Sequence, residues 1–111
     1  MNPDTRRILV LAEGKFSPLR SKTANGAIAY LRDRVVAVID GTRAGMTAQQ
    51  VLGYGGEIPV VRSLQDGMRF KPTHLLIGIA PPGGRLPDSW RTDIGAAISA
   101  GLHILSGLHT L

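Results

Sequence analysis

The stretch "ILVLAEGKFSPLRSKTANGAIAYLRDRVVAVIDG", Ile8 to Gly41, reveals the class of fold, because it reads as a strand, a helix and a second strand. Its two ends, Ile8 to Ala12 and Val35 to Ile39, are continuous apolar runs, which is typical of strands buried on both faces. Between these runs, apolar residues recur at the i, i+3, i+4, i+7 spacing of a helix face: Ala24, Ala27, Ile28 and Leu31.

The same alternation of strand and helix continues along the rest of the chain. We predict, in order, a short helix capped by Thr47, a strand at Ile58 to Val61, helical turns opened by Ser63, a strand in "THLLIGIA", a helix capped by Asp88 and stopped by Gly101, and a strand in "HILSG". This pattern predicts one doubly wound α/β domain, Rossmann-like, over residues 1–111. Right-handed crossovers give a five-stranded parallel sheet in the order 3-2-1-4-5, with helices on both faces.

The composition is that of a globular protein, with 43% hydrophobic and 19% charged residues. No cysteine is present, which excludes disulfides, zinc–thiolate sites and thiol catalysis. No apolar run is long enough to span a membrane or to form a signal peptide, so we expect a cytoplasmic protein with no membrane partner.

The chain is basic, with a formal net charge of +5. Its cations are scattered, and two Phe, two Tyr and one Trp provide few platforms for stacking bases. We therefore disfavour nucleic acid and expect a small anionic ligand.

The predicted topology places a ligand beyond the carboxyl ends of the strands, between the first and fourth strands. Three loops meet at this edge: Glu13 to Lys22, Asp40 to Met46 and Pro81 to Pro87. Their charged residues are Lys15, Arg20, Lys22, Arg43 and Arg85, against Glu13 and Asp40. The predicted ligand edge is therefore cationic.

The loop before the first helix carries no recognised phosphate-binding motif. After Gly14 no glycine follows until Gly26, which excludes a dinucleotide fingerprint, and Ser21 stands where a Walker loop needs glycine. A helix N-terminus with Lys22 and Thr23 beside it remains. Ser21 either only caps this helix or also belongs to an anion site, and both interpretations stay open.

Asp40 has two interpretations. It could hold a ribose hydroxyl, as an acid at this place does in dinucleotide folds, or it could stabilise the turn at Gly41 and Thr42. Without the glycine fingerprint we favour the turn. Arg43 either clamps a phosphate or is solvated.

In the loop "APPGG", Ala80 to Gly84, the prolines restrict the backbone and the glycines allow a ligand to approach it closely. We favour the interpretation that this loop forms a wall of a ligand cleft over the interpretation that it is only a tight turn. His74 and His103 are predicted at the opposite edge of the sheet, while His109 lies on the ligand side without a visible partner. No metal-ligand spacing appears, and we expect no metal.

Five blocks carry a resemblance: "LAEGKF", "SKTANG", "VVAVIDGTRAG", "IGIAPPGG" and "SGLHTL". They resemble the N-terminal Rossmann-like domain of a bacterial and archaeal family, the domain-of-unknown-function sixteen-eleven family. Some members are D-glutamate N-acetyltransferases that use acetyl-CoA, and older labels called them NAD-dependent epimerases or dehydratases. The resemblance implies acetyl-CoA as cofactor and a longer protein, whose C-terminal domain carries the phosphate-binding loop. It assigns no catalytic residue in this half.

We therefore expect one wall of a cleft for acetyl-CoA or substrate in an acetyltransferase-like enzyme, inactive as this isolated domain. One alternative is the dinucleotide-binding domain of an NAD-dependent oxidoreductase or epimerase, with NAD or another nucleotide as the cofactor. A second alternative is a structural or oligomerisation module without its own ligand, and a homo-oligomer is also expected. Glu13 and Asp40 are the candidate bases. The candidate ligand-binding residues are Lys15, Ser21, Lys22, Thr23, Asp40, Thr42, Arg43, Pro82, Gly83 and Gly84.

Overall fold

A computed structural model describes residues 4–80 and 85–106 of the chain. Strands and helices alternate in it, as the sequence predicts. The elements are β1 (Ile8–Leu11), α1 (Lys22–Tyr30), β2 (Val35–Ile39), α2 (Ala48–Leu52), β3 (Val60–Val61), α3 (Leu64–Met68), β4 (His74–Ile77), α4 (Asp88–Ser99) and β5 (His103–Ser106).

The strands form one five-stranded sheet in the order β3-β2-β1-β4-β5, and every pairing is parallel. The predicted order is therefore confirmed. β1 lies at the centre and all four of its residues are buried, which explains its uninterrupted apolar sequence.

Helices cover both faces of this sheet. Ile8 and Val10 of β1 pack with α1 and α2, whereas Leu9 and Leu11 pack with α3 and α4. Gly67 lets α3 approach closely, because a Cβ there would lie 2.6 Å from Leu9 Cδ1. Among the described residues, no helix is long and apolar enough to cross a membrane.

The third strand, Val60–Val61, is shorter than predicted, and a neighbouring segment of the chain covers its outer edge. Val60 accepts a hydrogen bond from Gly45 N (3.0 Å) and donates one to Met46 O (2.9 Å). Ile58 likewise accepts from Ala48 N. The segment before α2 therefore pairs with the outer side of β3 and protects it from pairing with another chain.

Two predicted caps, Thr47 and Ser63, are confirmed, whereas those at Asp88 and Ser21 are wrong. Thr47 forms a capping box with Gln50, and Ser63 accepts from Asp66 N. Asp88 is not the cap of α4: the helix begins at Asp88, and Pro87 occupies the N-cap position in extended geometry. A proline preceding the helix directs the chain into its first turn without a side-chain cap.

The spacing of Ile94, Ala97 and Ile98 predicts that all three face inward from α4, and this prediction is wrong for Ile98. Trp90 and Ala97 are buried and Ile94 packs against the core, but Ile98 is 57% exposed. Trp90 and Ala97 are seven positions apart and define the buried face of the helix. Ile98 lies to one side of this face and therefore points toward solvent. Gly101 ends the helix region with φ of +90°, as predicted.

Candidate functional site

Asp40 fastens two loops together at the carboxyl edge of the sheet. Its side chain is fully buried at the end of β2. Oδ1 accepts from Gly14 N (3.0 Å), Thr42 N (2.9 Å) and Thr42 Oγ1 (2.6 Å), and Oδ2 accepts from Phe16 N (3.0 Å). The carboxylate thus holds the β1–α1 loop against the β2–α2 loop.

This environment favours the turn-stabilising role of Asp40 over the other two. A catalytic base must reach the amine that it deprotonates, and a ribose hydroxyl must reach the carboxylate, whereas the Asp40 side chain has 0% exposure in this domain. The turn-stabilising role accounts for all the observed contacts.

Glu13, the other acid of this edge, is also held by the backbone. Its Oε1 accepts from Gly41 N at 2.8 Å. Glu13 is half-buried, so the carboxylate remains reachable and is the surviving candidate base.

The β1–α1 loop is closed by a small polar cluster of Ser17, Ser21 and Asn25. Ser21 Oγ accepts from Ser17 N (3.1 Å) and lies 2.9 Å from Asn25 Oδ1, while Asn25 Nδ2 donates to Ser17 O (2.9 Å). Ser21 occupies the N-cap position of α1, but its side chain makes no capping hydrogen bond, which corrects the predicted cap. Because this hydroxyl is fully buried, its contacts are those of a structural residue.

The sequence analysis missed Asn25. The residue follows Ser21 by four positions and is only 7% exposed on the inner side of α1. A buried amide among alanines is a signal that could have been noticed, because buried polar groups are almost always hydrogen-bonded.

The start of α1 lies at the predicted switch point. Ala24 N donates to Gly78 O (2.9 Å), and Gly78 N donates to Leu11 O (2.8 Å), so the helix begins where β1 and β4 separate. Lys22 is exposed and Thr23 half-buried in this first turn. Both therefore stand where a ligand of a doubly wound fold approaches.

The edge is cationic, and its described cations are unpaired. Lys22, Arg43, Arg20 and Arg85 are exposed and Lys15 is half-buried. Within residues 4–80 and 85–106 the one ion pair joins Arg6 to Asp4. Since Glu13 and Asp40 accept from neighbouring backbone groups, the structure leaves a positive surface at this edge.

Some of the predicted site residues are not part of this cationic surface. Thr42 is tied to Asp40 through its own hydroxyl. Pro82, Gly83 and Gly84, with His109, lie outside the described residues.

Two cavities of the described structure lie away from the start of α1. One of about 370 Å³ opens between the β2–α2 loop and α3 and includes Arg62, Asp66 and Arg69. Another of about 320 Å³ lies at the C-terminal end of α1. The sequence analysis did not single out Arg62 or Arg69.

His74 and His103 lie at the opposite edge, as predicted. They are the first residues of β4 and β5, pair in register, and have ring centroids 5.0 Å apart. Thr73 Oγ1 lies 2.7 Å from His74 Nδ1. In the part of the chain that the structure describes, no three His, Asp or Glu residues cluster in a way that could hold a metal ion.

We expect the folded domain to lose stability in mild acid because of the pair of His74 and His103. Desolvation, followed by the nearby His103 and Arg6, lowers the pKa of His74 from its ordinary 6.5. The unfolded chain therefore binds a proton that the folded chain resists, so the contribution is complete above pH 6.5 and is lost as the pH falls below it. Urea unfolding at pH 8 and pH 5 should show a smaller midpoint difference for His74→Gln than for the unmodified chain. An unchanged difference would contradict this assignment.

The fold and this edge together define a class: a Rossmann-like, doubly wound domain whose sheet has a cationic carboxyl edge and whose sequence lacks the glycine fingerprint. The family model for "Domain of unknown function (DUF1611_N) Rossmann-like domain" matches residues 41–111. The chain therefore belongs to the DUF1611 family and represents its N-terminal Rossmann-like domain.

The chain is also similar to a solved structure, a DUF1611 family protein from Anabaena variabilis ATCC 29413. The two share 33% sequence identity with a TM-score of 0.83, and the match covers 94% of this chain but 30% of that one. This chain thus spans less than a third of the length of that relative. No curated protein matches.

Proposed function

We propose that this domain is the N-terminal part of a two-domain enzyme resembling the D-glutamate N-acetyltransferases, and that its carboxyl-edge loops form one wall of the active cleft. The observation that carries the proposal is the positive edge. Lys15, Lys22 and Arg43 have no ion-pair partner in the described structure, whereas the acids beside them accept backbone hydrogen bonds.

Unpaired cations at a sheet edge suit a ligand with several negative charges. Acetyl-CoA carries phosphates and glutamate carries carboxylates, and both are attracted by a focused positive field. Lys22 and Thr23 stand in the first turn of α1, where backbone N–H groups and the helix dipole add to this attraction.

The chemistry of acyl transfer needs a base for the amine and donors for the oxyanion. Glu13 is the acid of this edge that solvent reaches, and its orientation is fixed by Gly41 N. We propose Glu13 as the base, with Asp40 positioning the loop that carries it.

The domain acts as one wall only. The resemblance to the family implies a C-terminal phosphate-loop domain in the same protein, and we infer that the opposing wall comes from it. The isolated domain therefore binds ligand weakly and does not turn over substrate.

Calorimetric titration of this chain with acetyl-CoA, coenzyme A, NAD, ATP and D-glutamate tests the proposal. We expect saturable binding of acetyl-CoA or D-glutamate, weakened about fivefold by Lys22→Gln, because an exposed charged contact contributes about 1 kcal/mol. Lys71→Gln is the matched control: it removes the same charge from an exposed residue next to β4, at the opposite edge. Silence across the panel from a folded sample would contradict a ligand wall and would favour a structural module.

A further inference from the structure

We propose that the cavity between the β2–α2 loop and α3 is a binding site for a small organic phosphate of mononucleotide size. The cavity has a volume of about 370 Å³. Its apolar part includes Val60, Val61 and Phe70, and its charged part consists of Arg62, Arg69 and Asp66. This is the composition of a ligand pocket, in which an apolar surface holds the body of a ligand and a few polar groups orient it.

The charged groups of this cavity are not paired with one another. Arg62 and Arg69 are exposed and Asp66 is half-buried. Throughout the described ranges, the ion pair between Arg6 and Asp4 is the one observed, and neither arginine side chain here makes a hydrogen bond. Two guanidinium groups are therefore available to a ligand.

The frame that carries these groups is rigid. Arg62 directly follows β3, and Arg69 is the C-cap of α3. Ser63 Oγ accepts from Asp66 N at 3.2 Å, and Gly67 lies against Leu9 of the central strand. The arginine backbones are thus held at the two ends of a helix that is fixed on the sheet, which reduces the ordering required on binding.

The charges select a phosphate monoester. A phosphate monoester carries about −1.5 to −2 charge at pH 7, which matches two guanidinium groups, and its oxygens accept from arginine forks. A single carboxylate would neutralise only one of them. Asp66 repels a phosphate, so the organic part of the ligand lies at Asp66 and offers it an amino or hydroxyl donor.

The volume limits the size of the ligand. Pockets for small molecules span about 300–1,000 Å³, so this cavity is at the lower end. A mononucleotide fits that range better than coenzyme A or a dinucleotide. No residue of the β1–α1 loop or of α1 lines this cavity, so the site is separate from the cleft proposed at Lys22 and does not depend on it.

NMR titration of the chain with adenosine 5′-monophosphate tests the site. We expect saturable amide shifts at Val61 and Phe70, and at least a tenfold loss of affinity in Arg62→Ala/Arg69→Ala, because each lost charge-assisted hydrogen bond is worth roughly tenfold. Arg91→Ala, which removes an exposed arginine of α4 that does not line the cavity, should change the affinity less than about twofold.

Ligand and variant comparisons separate the two halves of the site. Adenosine, which lacks phosphate, should bind at least tenfold more weakly. Asp66→Ala, which removes both the charge and the acceptor, should bind inorganic phosphate more tightly and should lose the preference for adenosine 5′-monophosphate over purine riboside 5′-monophosphate, which lacks the amino group.

Four results would overturn the assignment: no saturable binding by the folded chain, shifts centred on Lys22 and Thr23, equal losses in Arg91→Ala, or D-glutamate binding more tightly than the nucleotide with the same dependence on Arg62 and Arg69. Loss of coenzyme A binding in Lys22→Gln tests only the cleft proposed at Lys22. A failure of that proposal can therefore be distinguished from a failure of the phosphate site at Arg62 and Arg69.

Discussion

Replacement of Asp40 by alanine is expected to destabilise the domain by about 4 kcal/mol, because each buried donor left without a partner costs about 1–3 kcal/mol. The carboxylate accepts from the backbone N–H groups of Gly14, Phe16 and Thr42, and from the Thr42 hydroxyl. Its removal leaves these donors facing a cavity at the junction of two loops. Against a total stability of about 5–15 kcal/mol, this is a large fraction.

Asp40→Asn distinguishes the hydrogen bonds from the shape of the side chain. The amide is nearly isosteric, but its NH₂ group would face at least one backbone donor, such as Phe16 N, where a carboxylate oxygen now accepts. We expect a loss of at least half that of the alanine variant in urea unfolding at constant m-value. Asp33→Ala, an exposed aspartate before β2, is the control and should change stability by less than about 0.5 kcal/mol. A loss below about 1 kcal/mol in Asp40→Ala would contradict the role assigned to this carboxylate.

Replacement of Gly78 by alanine is expected to destabilise the domain by about 3 kcal/mol, the upper part of the range for overpacking a core. A Cβ at this position would lie 2.9 Å from Leu11 O, 3.0 Å from Ala24 Cβ and 3.0 Å from Val10 Cγ1. The first of these atoms belongs to the backbone of the central strand and cannot rotate away. Relief would have to come from moving the first turn of α1, which carries Lys22, so ligand binding at the switch point should weaken as well.

Gly95→Ala is the matched control for Gly78→Ala, with the opposite expected sign. Gly95 lies within α4 and is exposed, and a Cβ added to it would meet no neighbouring atom within 4 Å. Alanine there should stabilise the helix by about 0.5–1 kcal/mol. Thermal unfolding of both variants measures the difference, and two variants that shift the midpoint in the same direction would contradict the steric argument at Gly78.

The strand order and the layers follow from patterns that are local in the sequence. Continuous apolar runs at Ile8–Leu11 and Val35–Ile39 can be satisfied only by burial on both faces, and the intervening helical face requires a crossover. The same logic located the positive edge, because a loop that follows a parallel strand must lie at its carboxyl end. These inferences required no knowledge of which side chains touch.

The errors arose where a side chain had more than one possible partner. Ser21 was predicted to cap α1, but its hydroxyl bonds Ser17 and Asn25 instead, since the loop folds back over the helix start. Asp88 was predicted to cap α4, but Pro87 already sets the entry of the chain. Serine and aspartate compete for several nearby backbone groups, and only the path of the loop selects among them.

The sequence alone was enough to infer the class of fold, the order of the strands and the sign of the charge at the carboxyl edge. Each of these follows from periodicity, from the order of elements along the chain or from the sum of residue charges, and all three can be read without knowing which side chains touch. Only the tertiary structure shows which polar side chains are buried and which are accessible. Asp40 is buried between two loops, Glu13 is accessible to solvent, and Arg62 and Arg69 line the same cavity. Burial and hydrogen bonding depend on segments that are distant along the chain, as Gly14 and Asp40 are, and a pattern read along the chain does not contain those distances.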